Sequence, residues 1–230
     1  MKGEVLIFRI WTYFIVLLLL ALFSYLLKTE FAFFPPLETW SMILGYLSFV
    51  LIGLTLLIGP VKQWLPPAYT TFCLKLRRDL GILAGAAGVL HVAIVLYLFE
   101  TGNDLFIIGR ENVHDGWLGM FFSNLDDTAH LYPNTSKTGI ANYLGAVAFF
   151  VLLALWLTSS RRAELLLGGA GWKRLHLQNP LLFLLVLFHG VIYIQSIKGH
   201  PHTLSDFLWL AGSVFVLRGV CFVYTICRRR

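Results

Sequence analysis

The chain has 230 residues, of which 58% are hydrophobic, 15% aromatic and only 13% charged. A soluble domain of this size carries roughly a quarter charged residues and under half apolar ones, so composition excludes a soluble globule, a disordered chain and a disulfide scaffold. A mean hydropathy of +0.76 and a net charge of +6 point to an integral membrane protein whose basic residues report topology, and give a nucleic-acid-binding reading little support.

In chain order, six windows reach the roughly 20 mostly apolar residues that cross a bilayer: 7–27, 40–61, 78–99, 139–158, 175–197 and 205–227. The first follows Lys2 and contains Arg9. It is longer than the ~7–15 residues of a signal-peptide core and lacks a small-residue cleavage pattern, so it reads as a retained span. With the N-terminus inside, fourteen of the 18 lysines and arginines fall on the inner side or inner half of a span, leaving Lys28, Arg110, Lys137 and Lys198 outside. That bias predicts cytoplasmic N- and C-termini. The expected fold is an all-α, six-transmembrane-helix bundle forming a single domain over 1–230, located in the bacterial inner membrane if the source is prokaryotic.

Between the third and fourth spans runs the longest connection, 100–138, on the outer side. It is acidic and holds Trp117, His114 and His130. It reads as a solvated loop, or as a cap, metal site or docking element. On the inner side, 161–174 carries Gly168, Gly169 and Gly171 among basic residues and reads as a flexible basic linker. Cys73, Cys221 and Cys227 form no CxxC or CxxCH pattern and read as small apolar fillers.

Ionisable residues inside spans are costly and point to function. Here they are His91, His189 and Arg218, with Arg78 and His176 at the inner boundary. His91 lies thirteen residues after Arg78, and His189 thirteen after His176. On two spans of the same direction, this puts His91 level with His189, and Arg78 level with His176, the two layers ~20 Å apart along the helix axis. Paired imidazoles facing one another suit the two axial positions of a b-type haem iron. A bare zinc or copper ion would want three or four ligands at one depth. The competing reading of each histidine is a structural hydrogen bond between helices. Thirteen residues turn a straight helix by about 220°, so His176 and His189 would not share a face unless Pro180 presents His176 from a boundary turn.

Gly81, Gly85 and Gly88 form a stripe between Arg78 and His91. It reads either as a small-residue packing face or as a groove that admits a haem. Arg78 stays protonated and would pair a haem propionate or another anion. His200 and His202, in the short outer turn above His189, are candidate contacts for a metal substrate.

Trp172, Lys173, Arg174, Leu175 and His176, followed after thirteen residues by His189, resemble the fifth helix of the ferric reductase-like transmembrane family. Arg77, Arg78, Asp79, Leu80 and Gly81, leading to His91, are similar to its third helix. That family includes NADPH oxidases, ferric reductases and the short haem-binding membrane subunit of the methionine sulfoxide reductase system. The resemblance implies one or two haem b groups between the two helices, with His91, His176 and His189 as iron ligands. It also implies electron flow from the inner to the outer face. Arg78 stands where oxidases and ferric reductases have a second histidine, which makes the chain more like the short subunit, although the long acidic outer loop departs from that branch.

With no room left for a soluble nucleotide-binding domain, the expected activity is that of an oxidoreductase component. A separate inner-face donor, a flavoprotein or membrane quinol, would supply electrons, and a metal ion or periplasmic redox partner would receive them. The alternatives are a metal or proton permease using the same histidines, or an assembly factor whose histidines only hydrogen-bond.

Overall fold

A computed structural model describes residues 2–32, 34–101, 116–124, 130–196 and 202–229. It is all-α apart from one small hairpin: α1 (Lys2–Glu30), α2 (Pro36–Val61), α3 (Thr70–Glu100), α4 (Lys137–Leu157), α5 (Arg161–His176), α6 (Asn179–Ser196) and α7 (His202–Arg229). Five helices are individually long and apolar enough to cross a membrane, and α5 with α6 counts as a sixth span bent by 45°. The chain is a multi-pass integral membrane protein, as its composition predicts.

Local chemistry sets the helix limits. Pro36 opens α2, where a missing N–H costs nothing. Pro60 falls in the last turn of α2, and the chain then continues through short 3-10 turns at Lys62–Trp64 and Pro67–Tyr69 before α3. Ser136 caps α4 by accepting from the Gly139 amide at 3.1 Å, and Ser160 caps α5 by accepting from the Ala163 amide at 3.1 Å.

Two features depart from the sequence reading. The segment expected as a flexible linker is helical as α5, because Ala163, Glu164 and the following leucines favour a capped helix. Only Gly168 breaks it, at φ 68° and ψ 149°, a conformation that favours glycine. The second departure is in the fifth expected span, which starts at Asn179 rather than near Leu175.

α2 is the central helix, packed against α1, α3, α6 and α7. Phe49 of α2 lies between two stacked rings, Phe183 of α6 at 4.8 Å and Phe207 of α7 at 4.1 Å between centroids. Leu80 and Ala84 of α3, and Ala148 and Leu152 of α4, complete this core. α1 leaves most of its large apolar side chains on the outside of the bundle, as a helix facing lipid does. It is tied in by Phe31 against Ile43 and by the Tyr13 hydroxyl, which donates to the Asp79 carboxylate of α3.

Between α3 and α4, β1 (Phe122–Asn124) pairs antiparallel with β2 (Leu131–Pro133), Ser123 opposite Tyr132. A 3-10 turn, Trp117–Met120, precedes it. Together these form a cap over one end of the bundle, fixed by an apolar cluster of Leu98, Phe99 and Met120.

Candidate functional site

Beneath the cap lies a cavity of about 410 Å³ whose walls come from α2, α3, α4, α6, α7 and the cap. That volume is in the range of small-molecule and cofactor sites, roughly 300–1,000 Å³. His91 of α3 and His189 of α6 both line it. The structure thus brings the two outer-layer histidines to one site.

Each imidazole is seated by the helix next to its own. His91 Nδ1 donates to the carbonyl oxygen of Ser41 on α2 at 2.8 Å, and the Ser41 hydroxyl lies 3.1 Å from the same nitrogen. His189 Nδ1 donates to the carbonyl oxygen of Ala141 on α4 at 2.8 Å. A carbonyl can only accept, so Nδ1 carries the proton in both rings and Nε2 keeps its lone pair. That is the tautomer a metal ligand needs.

One turn further along each supporting helix stands a glycine. A Cβ at Gly45 would lie 3.3 Å from His91 Nδ1, and a Cβ at Gly145 would lie 2.7 Å from His189 Nδ1. The imidazoles therefore rest on bare backbone.

The polar groups of the cavity are few. Tyr193, one turn beyond His189, packs its ring 4.9 Å from the imidazole. Its hydroxyl donates to Asn142 Oδ1, and Asn142 Nδ2 donates to the Met120 carbonyl of the cap at 2.9 Å. Tyr143 similarly donates its hydroxyl to the Phe121 carbonyl. On the α3 side, Glu100 accepts from the Trp117 amide at 3.4 Å. Trp117, Met120 and Phe121 of the cap contribute to the lining of the cavity.

The remaining expected residues fall elsewhere. His176 is the last helical residue of α5, just before the 45° bend. It stacks on Trp172 at 4.1 Å, and its Nε2 lies 3.3 Å from the Thr158 hydroxyl. Arg78 is exposed and faces its neighbour Asp79 at 3.7 Å. Arg77, not Arg78, interacts electrostatically with His176 and with Arg218 of α7. Its guanidinium lies where a Cβ at Gly59 would be 3.5 Å from Nη1.

The glycine stripe divides. Gly88 lines the cavity. Gly85 receives the indole of Trp156 from α4, whose Nε1 donates to the Ile82 carbonyl at 3.0 Å. Gly81 meets only the Thr55 methyl, 4.0 Å from an added Cβ. His114 and His200 lie outside the described residues, and of His202 only the backbone, at the start of α7, is described. Among the described residues no group of three or more His, Cys, Asp or Glu is arranged to hold a bare metal ion.

Sequence reasoning missed Ser41, Gly45, Ala141, Gly145, Asn142 and Tyr193. A signal was present: Ser41 to Gly45 and Ala141 to Gly145 are both small residues four apart, each ending in Leu-Gly. This is the spacing that lets helices approach closely in a membrane.

The family described as ferric reductase like transmembrane component matches residues 44–187, which include His91 and His176 and end two residues before His189. The chain is 28% identical over 196 residues to the haem-binding subunit MsrQ of protein-methionine-sulfoxide reductase from Azospira oryzae, covering 83% of this chain and 63% of the relative. The proteins of that name from Yersinia pseudotuberculosis and Yersinia pestis are 26% identical over 155 residues, covering 67% of this chain and 61% and 60% of theirs. The chain therefore spans somewhat under two thirds of the length of these curated relatives. No solved structure matches.

Proposed function

This chain belongs to the family of ferric reductase like transmembrane components, and from that premise we propose that it is a haem b-binding membrane subunit for electron transfer. One observation carries the reading. Two histidines from different helices line one apolar cavity, each with Nδ1 committed to a backbone carbonyl and Nε2 left to ligate. The relatives' printed name, a haem-binding subunit, supports the same cofactor.

The residues fit the group. Nε2 of His91 and Nε2 of His189 would hold the iron, and the Ser41 and Ala141 carbonyls would hold each ring in its ligating tautomer. Gly45 and Gly145 make room for the two imidazoles and Gly88 for Leu152, while Phe49, Phe149 and Leu152 supply apolar wall. When bound, haem b supplies a one-electron iron couple whose potential responds to ligand identity, burial and hydrogen bonding. The rest is the work of the chain: the largely apolar wall, with Trp117, Met120 and Phe121 of the cap, keeps the site poor in water.

The inner layer is proposed as the electron-entry end. The charge of Arg77 acts on both His176 and Arg218 there, and this concentration of positive charge suits a propionate, a flavin phosphate or another anion beside a second cofactor. Arg78 and Gly81 belong to this end of α3 and would serve its surface. A flavoprotein or quinol on the cytoplasmic face is the proposed donor, and a redox protein or metal ion on the capped face the proposed acceptor. This orientation keeps both termini in the cytoplasm and, in a bacterium, places the chain in the inner membrane.

The test is a reduced-minus-oxidised spectrum of purified protein with a haem-to-protein ratio. A b-type spectrum at one or two haems per chain is expected, and a colourless preparation from haem-sufficient cells would overturn the reading. Metal uptake into vesicles without redox change would favour the permease alternative.

A further inference from the structure

The cavity wall contains a polar chain that ligation alone does not require. Tyr193 and Asn142 sit among apolar side chains, where a phenylalanine and a leucine would fill similar space without any polar group to satisfy. Both are instead bonded in series. Tyr193 donates to Asn142 Oδ1, and Asn142 donates to the Met120 carbonyl of the cap. Asn142 is also the chain neighbour of Ala141, whose carbonyl holds His189 Nδ1. Two consecutive residues of α4 therefore grip two residues of α6 one helical turn apart, His189 and Tyr193.

The geometry points to a specific role, and we propose that Tyr193 and Asn142 are positioning residues that set the orientation of the His189 ring and tie it to the cap. The phenol ring lies 4.9 Å from the imidazole at an interplanar angle of 55°. With its hydroxyl fixed by Asn142, the phenol cannot swing away, and it blocks rotation of the imidazole about its own Nδ1 hydrogen bond. His91 has a different support: its second polar neighbour is the Ser41 hydroxyl at 3.1 Å, on its own supporting residue. The two ligand rings are thus held by unlike means, and the means at His189 reaches the cap through Met120. Buried hydrogen-bond chains of this kind gain strength from one another, and their members act as a unit.

This inference rests on the proposed haem site, and its experiment separates the two. Tyr193→Phe, Asn142→Ala and the double variant are purified alongside the parent. Haem content, the low-spin electron paramagnetic resonance spectrum and the midpoint potential are measured for each. The expected result is near-parental haem content in all three, with the low-spin signal of the haem held by His91 and His189 broadened or split and its potential shifted. The double variant should match the singles instead of adding to them.

A haem-loaded parent whose variants keep its spectrum and potential would overturn this inference and leave the haem site standing. A change in only one single variant, an additive double, or loss of haem in Tyr193→Phe would also overturn it, since a relay that positions a ligand leaves ligation intact. A colourless parent would overturn the haem site and this inference together.

Discussion

The Nδ1 atom of His189 lies 2.8 Å from the carbonyl oxygen of Ala141. That contact takes a hydrogen-bond acceptor from the α4 backbone without replacing a side chain, and α4 can offer it because α6 packs closely along it. His91 stands in the same relation to Ser41, with α2 in place of α4. The bundle therefore presents two imidazoles to one cavity by the same backbone device, used once on each side.

Removing either ring removes half of this arrangement. His91→Ala and His189→Ala should each lose most bound haem, because losing even the groups that orient a metal ligand costs 10–100-fold in affinity. A haem-to-protein ratio from the reduced alkaline pyridine spectrum checks this. Full retention in both variants would reject these ligands.

The two glycines give a graded test of the same device. A methyl at Gly145 would sit 2.7 Å from His189 Nδ1 and 2.8 Å from Cε1, so the ring must move. At Gly45 the corresponding distances are 3.3 and 3.4 Å, and a shift of a few tenths of an ångström suffices. Gly145→Ala should therefore displace His189 and reduce haem occupancy severely, at an overpacking cost of about 1–3 kcal/mol. Gly45→Ala should keep most haem. Equal occupancy in the two variants would contradict the asymmetry.

Ser41 allows its side chain to be separated from its backbone. Ser41→Ala leaves the carbonyl bond to His91 and removes only the hydroxyl at 3.1 Å. Haem should be retained, while the midpoint potential shifts by the equivalent of one modest hydrogen bond, about 0.5–1.5 kcal/mol. Potentiometric titration of parent and variant reads this directly.

The spans and the pairing of His91 with His189 were legible because they depend on one-dimensional quantities, apolar length and residue spacing along a helix. The groups that orient the rings were not, since Ala141 acts through a carbonyl that every residue possesses, and only packing decides which carbonyl meets an imidazole. That Arg77 is the arginine whose charge reaches His176 was hidden for a similar reason. One residue is a 100° rotation on α3, a difference that depth arithmetic cannot resolve. α5 was hidden by its glycines, of which only Gly168 breaks the helix.

The glycine stripe holds one residue that serves packing away from the cavity and one that packs within the cavity wall. The Trp156 indole fills the place where a Cβ at Gly85 would go, and its Nε1 donates to the Ile82 carbonyl, so Gly85 serves the contact between α3 and α4. Gly88, one turn nearer His91, lines the cavity with Leu152 and Ser48 against it. Gly85→Ala should therefore lower thermal stability by about 1–3 kcal/mol through overpacking, while the protein that remains folded carries its usual haem in the cavity. Combining it with Trp156→Phe, which shrinks the ring system, should restore part of the lost stability. Gly88→Ala, whose added Cβ would meet Leu152 Cδ2 at 2.4 Å in the cavity wall, should lower stability and haem occupancy together. Thermal unfolding with haem absorbance followed in parallel distinguishes the two sites. Loss of haem in Gly85→Ala with unchanged stability would show that the cofactor, and not the indole, belongs against that glycine.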